Sequence, residues 1–249
     1  ASAGAVGEVQ VATDMVADNA ITLAKMASGT DGNIISYDAS GNPVAVATGS
    51  SGQVLTSAGA GAVPTFADAG GGAWSKLVTT TVSSNTAAVE FNSTYLNSTY
   101  RDYRIIISDM HHTTGSGKVP QLQIGNGSSY ITNSDYRFAM RAFKSDASTN
   151  QNASAASDKF TLSADDIAGN DSNKKSSFEI TMFDPLSTSS FFTLQVTGSF
   201  IATNNDLACG QYGGGFFNGQ ASTAINLIKI FMNSGSINAG TFTLYGRKI

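Results

Sequence analysis

The chain has 249 residues, a net charge of -4, a pI near 5.0 and only 13% charged residues. That length suits one or two domains with a sizeable core, and the weakly acidic balance lacks the basic footprint that phosphate contacts demand, so nucleic acid is not an expected partner. The 26 glycines, with abundant Ser, Thr, Asn and Ala, take the place of charges and favour a β-rich or fibrous protein. No apolar run reaches bilayer length, and the longest, AINLIKIFM at 224–232, is broken by Lys229, so membrane insertion is not expected. The opening ASAGAVGEVQ has neither a basic nor an apolar leader region, but a chain starting at Ala1 is also what removal of an initiator Met or of a longer leader would leave, so secretion stays open.

Residues 14–28, DMVADNAITLAKMAS, read in two ways. Val16, Ala20, Leu23 and Ala27 line one face of a short helix, and a turn at Asn19 equally separates two brief extended pieces. Beyond them GTDGNIISYDASGNPVAVA, residues 29–47, is followed by GSSGQVLTSAGAGAVPTFA, residues 49–67. At an offset of 20 residues Gly29 aligns with Gly49, Gly32 with Gly52, Ile34 and Ile35 with Val54 and Leu55, Gly41 with Gly61, and Val46 with Phe66. Each unit is predicted as strand, turn, strand.

Isolated hairpins are marginal in water. Ile34, Ile35, Val46, Val54, Leu55 and Phe66 are too few to offset a backbone ordering cost of about 1–2 kcal/mol per residue within one chain. Copies of the same chain around a common axis would cover them, which makes these six residues the predicted oligomer interface. A disordered low-complexity linker is the competing reading.

Composition shifts at Trp74, beyond which lie nearly all the Phe and Tyr that can form a core. The boundary is placed in AGGGA, residues 69–73, dividing a stalk at 1–73 from a globular part at 74–249. In that second part the periodicity is that of strands. Tyr103, Ile105 and Ile107 share one face, as do Phe178, Ile180 and Met182; Phe192, Leu194 and Val196; Ile228, Ile230 and Met232; and Phe242 and Leu244. Gly, Asn and Ser clusters punctuate about eight to eleven such strands, which predicts an all-β chain: short hairpins followed by a jelly-roll-like β-sandwich.

The stretch VATDMVADNAITLAKMASGTDGNIISYDASGNPVAVATGSSGQVLTSAGAGAVPTFA, residues 11–67, resembles the stalk segment of tailed-bacteriophage virion proteins, and the closing GTFTLYGRKI resembles the final strand of phage virion sandwiches. The stalk likeness covers about a quarter of the chain. It implies a structural, usually trimeric component of the particle, a tail or head fibre, a spike or a capsid decoration protein. Its partners would be itself and other virion proteins, with a host-surface glycan as a further candidate. It also favours a short helix or turn at 14–28 that packs at the oligomer interface, and it transfers no catalytic or binding residue.

Little in the sequence points to an enzyme. His111 and His112 are the only histidines, adjacent in an alternating strand, and read as surface residues at a strand end rather than joint metal ligands. Asp165, Asp166 and Asp171 in SADDIAGNDSNKK lack the spacing of a calcium loop and read as a solvated turn. Cys209 reads as a buried apolar thiol. CGQYGGGFF at 209–217 has no following Lys or helix for a phosphate, and no hydrolase motif is present. No cofactor and no metal are expected. Tyr95, Tyr100, Tyr130 and Tyr136 sit in polar, loop-like settings and are candidate surface-binding aromatics, the alternative being that they cap sandwich ends or fill subunit interfaces. Three functions remain in play: a virion structural protein, which the sequence favours, a secreted carbohydrate-binding module, and a glycan-degrading enzyme. Against the module, the only Trp lies at the domain start.

Few contacts are expected to cross a glycine linker. Limited proteolysis should therefore cut first near Gly70–Gly72 and leave a fragment from about Trp74 onward with its β-sheet circular dichroism intact; early cuts inside that fragment with the linker spared would show one unit.

Overall fold

The computed structural model describes residues 15–16, 28–68, 74–113, 118–168, 173–203, 208–219 and 223–248. The chain divides into two compact units, Ala1–Gly71 and Gly72–Ile249. Asp171, the stretch 69–73 and most of 14–28, with Ala20, Leu23 and Ala27, lie outside the described residues.

In the first unit β1 (Ile34–Tyr37) pairs with β2 (Pro43–Val46), and β3 (Gln53–Thr56) with β4 (Thr65–Asp68), both antiparallel. The repeat is one of backbone shape. Gly32 and Gly52 have φ of 79° and 89°, and Gly41 and Gly61 have 82° and 74°, a region that a Cβ disfavours. The turn entering each hairpin is likewise shared: the Asn33 amide donates to Thr30 O at 3.1 Å and the Gln53 amide to Ser50 O at 3.0 Å. Asp38 closes the first hairpin by accepting from the Asn42 and Ser40 amides, and the Asn42 bond chiefly holds its carboxyl below the ordinary value.

The second unit contains thirteen strands among the described residues. They are β5 (Ser75–Val82), β6 (Ala88–Phe91), β7 (Asp102–His112), β8 (Pro120–Asn126), β9 (Ser129–Tyr130), β10 (Tyr136–Lys144) and β11 (Thr149–Ser157), then β12 (Phe160–Thr161), β13 (Ser176–Phe183), β14 (Thr193–Ile201), β15 (Ala208–Phe217), β16 (Leu227–Met232) and β17 (Ile237–Arg247). One sheet runs β11-β10-β15-β14-β13-β7-β17-β5 and the other β12-β8-β16-β6, with β9 beside β8. Eight strands form a jelly roll: β5, β17, β7 and β13 are neighbours in the large sheet, β6, β16, β8 and β12 in the small one, and the first and last strands pair. Two insertions, β9 to β11 and the β14–β15 hairpin, widen the large sheet to eight strands. The predicted fold class is therefore observed, with two more strands than the upper end of the expected range.

Every residue predicted to face inward on these strands is buried, from Tyr103, Ile105 and Ile107 through Phe178, Ile180 and Met182 to Phe242 and Leu244. On β7 the alternation breaks at Asp109, whose φ of 56° marks a bulge where the pairing of β7 shifts against both neighbours. An extra residue reverses the face of all that follows, so Met110 and His112 point inward. His112 is consequently a core residue, its Nε2 3.0 Å from Ile167 O, and His111 is half-buried with Nε2 3.2 Å from Asn238 Nδ2. This corrects their reading as surface residues.

Asp165 and Asp166 also differ from the solvated turn expected of them. Asp165 Oδ2 lies 2.5 Å from Lys144 Nζ, both side chains being 11% exposed, and this bond raises the Lys144 pKa. Burial, with the neighbouring Asp165 charge, raises that of Asp166. Among the described residues no three acidic, His or Cys side chains group as metal ligands. Cys209 is buried, and that burial raises its thiol pKa.

Tyr136, expected at the surface, is fully buried. Its ring packs edge-on to Phe160 and Phe217 at 4.9 and 5.2 Å, while its hydroxyl donates to Ile131 O at 2.8 Å and accepts from the Ile124 amide at 3.2 Å. Its polar neighbours in sequence conceal a core position at the start of β10.

Burial raises the pKa of Tyr136, Tyr103 and Tyr130, the last to about 12 with help from Glu90. With Lys144 also raised, each of these groups holds its proton more tightly folded than unfolded, so its contribution is full below the unfolded pKa and lost as pH rises through the folded one. Thermal midpoints should be flat between about pH 6 and pH 9 and fall above about pH 10. Tyr136→Phe should cost about 1 kcal/mol at neutral pH and make the alkaline fall shallower; a parallel fall would show that this phenol is not what titrates.

Candidate functional site

Two surfaces present chemistry that the folded units leave unused. The first is apolar and belongs to the hairpin unit. Ile34, Ile35, Val54 and Leu55 are 39%, 57%, 46% and 46% exposed, so each repeat-equivalent pair shows side chains of the same kind to solvent. Phe66 is half-buried, and Val46 is covered within the chain itself, which removes Val46 from the residues awaiting a partner. Val46 and Phe66 instead line a small hollow with Val63 and Pro64.

The second surface is the outer face of the large sheet. Strand parity puts Arg104 of β7, Glu179, Thr181 and Phe183 of β13, and Gln195 and Thr197 of β14 on it. Register then brings them together, Arg104 opposite Thr181, Thr181 opposite Gln195 and Glu179 opposite Thr197. Here they frame a hollow of about 300 Å³ with Trp74 and Arg247, at the lower end of the range for small-molecule sites.

Charges around the hollow are matched. The Arg104 guanidinium lies over the Trp74 ring, 4.4 Å from its centroid, with Nε 3.1 Å from Glu179 Oε1. Arg247 lies 5.7 Å from the same ring, and its Nε donates to Asp102 Oδ2 at 2.9 Å. Asp102 is buried and its other oxygen accepts the Asp184 amide at 3.0 Å, so the pair also fixes the end of β13. Trp74, which its place at the domain start had counted against a binding face, thus lies on the sheet's outer surface.

The remaining candidate tyrosines are largely engaged in structure. Tyr95 is half-buried against the core. Tyr100 packs edge-on to Tyr103 at 6.1 Å and closes over Gly246, where a Cβ would fall 2.4 Å from its ring. The Tyr130 ring is covered by Lys229 Nζ at 4.3 Å from its centroid. Tyr100 and Tyr130 do each border an open hollow.

Sequence reasoning missed Arg104, Glu179, Thr181, Gln195 and Thr197. Their signal lay in the same alternation that placed the core, since each is the polar residue between two inward-facing ones; what alternation lacks is the order of strands that makes them neighbours. No family model matches the chain, and no curated protein or solved structure is similar to it at a significant level.

Asp102→Ala should lower the unfolding free energy by about 2 kcal/mol, less than for a fully buried pair because Arg247 is half exposed. Urea denaturation checks this, and a loss below about 0.5 kcal/mol would place the pair with ordinary surface ion pairs.

Proposed function

We propose that the chain is a non-enzymatic structural protein of a tailed-phage particle, a homotrimer whose hairpin unit associates around an axis and whose jelly roll is displayed as a fibre, spike or capsid decoration domain. The observation that carries this reading is the repeated exposure of Ile34 with Val54 and Ile35 with Leu55 on a unit whose described residues bury little apolar surface of their own. Association removes that apolar surface from water, and Gly and Ala neighbours let backbones approach. The resemblance of residues 11–67 to phage stalks supports the virion as the setting.

A second reading, a carbohydrate-binding module, is favoured by the Trp74 hollow on the sheet's outer face. The two readings differ in whether association is obligatory.

Replacing Ile35 and Leu55 together by Asp should shift the protein from trimer toward monomer in sedimentation velocity while the β-sheet signal is kept, because each carboxylate buried without a partner costs several kcal/mol. An unchanged oligomer, or a wild-type monomer at micromolar concentration, would leave the hairpins as a linker and remove the trimer reading.

A further inference from the structure

We infer that the hollow beside Trp74 is a binding site for an uncharged pyranose ring of a surface glycan. The inference concerns the sandwich alone and holds for either reading of the whole chain, since nothing in it requires association.

Its floor carries the chemistry. Thr181, Gln195 and Thr197 stand on two adjacent strands, and their two hydroxyls and one amide make no hydrogen bond among the described residues. Hydroxyls and amides both donate and accept, and neighbouring strands set such groups about 4.8 Å apart. A ring bearing hydroxyls on successive carbons offers the same mixture of donors and acceptors. A purely anionic ligand would leave the Gln195 carbonyl unused, and a purely cationic one its amide N–H groups.

Charge argues in the same direction. Arg104 faces Glu179 and Arg247 faces Asp102, so both guanidiniums are neutralised where they stand. A phosphate or carboxylate entering the hollow would meet guanidiniums whose charge is already offset and would stand beside the like charge of Glu179, whereas a neutral hydroxyl can accept from a guanidinium N–H that the ion pairs leave free and donate to Glu179. Trp74 and Phe183 supply the apolar walls that the C–H faces of a sugar ring require. Every polar group except those of Trp74 and Arg247 stands within the paired strands β7, β13 and β14, so little ordering is needed on binding.

Trp74 is the only tryptophan, so intrinsic fluorescence reports on this hollow. The full chain is first screened on an array of neutral and acidic glycans, and neutral methyl pyranosides, glucuronic acid and N-acetylneuraminic acid are then titrated against Trp74 fluorescence. A saturable change with at least one neutral pyranoside is expected, with Gln195→Ala weakening it at least about tenfold. Gln195 is solvent-facing and unbonded, so its loss should leave the melting temperature unchanged. Absence of any neutral ligand, binding of acidic sugars only, or wild-type affinity in Gln195→Ala would each overturn the inference, whatever sedimentation shows of the oligomer.

Discussion

The inner face of the eight-stranded sheet has to be covered along its whole width, and the facing sheet of β12, β8, β16, β6 and β9 is too narrow to do so. An uncovered half would leave Met140, Val196 and Phe217 in water. Residues 160–168 supply the missing layer, with Phe160, Leu162, Ala164 and Ile167 all buried. Only two of those residues form ladder bonds as β12, so the rest need other partners for their backbone groups. Backbone carbonyls of Pro120, Lys118 and Ile201 accept the Leu162, Ile167 and Ala168 amides, and Gln211 adds two bonds from the sheet: its Oε1 accepts the Ala164 amide at 3.0 Å and its Nε2 donates to Leu162 O at 2.6 Å. One buried amide side chain thereby ties the covering segment to β15 where no ladder bond reaches it.

The same requirement accounts for the glycines of β15. A Cβ at Gly213 would fall 2.2 Å from Met140 Sδ, and one at Gly215 would fall 2.6 Å from Arg137 O and 2.8 Å from Phe160. Bare backbone at these two positions lets the covering segment and β10 approach, at the usual cost of a weaker strand. The run CGQYGGGFF is therefore a central strand adapted to a thick covering layer, and its lack of bulk answers a packing demand rather than a phosphate.

How much of this is legible in the sequence depends on what alternation can carry. The period-two runs around Ile105, Ile180, Val196, Ile230 and Leu244 identify core faces because each lies on a regular strand with one side buried. Where regularity ends, the reading fails for a nameable reason. The bulge at Asp109 reverses parity and buries His112; a turn-rich neighbourhood hides that Tyr136 begins a strand; TNQNASAAS, with no large apolar residue, is β11 at the sheet edge, where nothing needs covering. Lys144 and Asp165 are 21 residues apart in sequence and meet only because the covering segment passes β10. The hairpin repeat was visible for a different reason, since positive φ forces glycine at fixed places and so writes backbone shape directly into composition.

A sheet covered on one face alone has a second consequence, which bears on where function resides. Its outer face need not satisfy polar groups internally, because water does so, and strands tolerate Thr and Gln there without loss. Thr181, Gln195 and Thr197 can therefore remain unspent while the backbone that bears them is held by hydrogen bonds on both sides. Loops would offer the same groups with more freedom to lose. In this chain the loops that can be described are mostly self-bonded turns, as where Asp146 accepts from the Ser148 amide and hydroxyl or Ser187 gathers Ser189 and Ser190. Prearranged and unpaired polarity is thus concentrated on β13 and β14, and an aromatic side chain held against that surface by two guanidiniums turns a flat sheet into a site with walls.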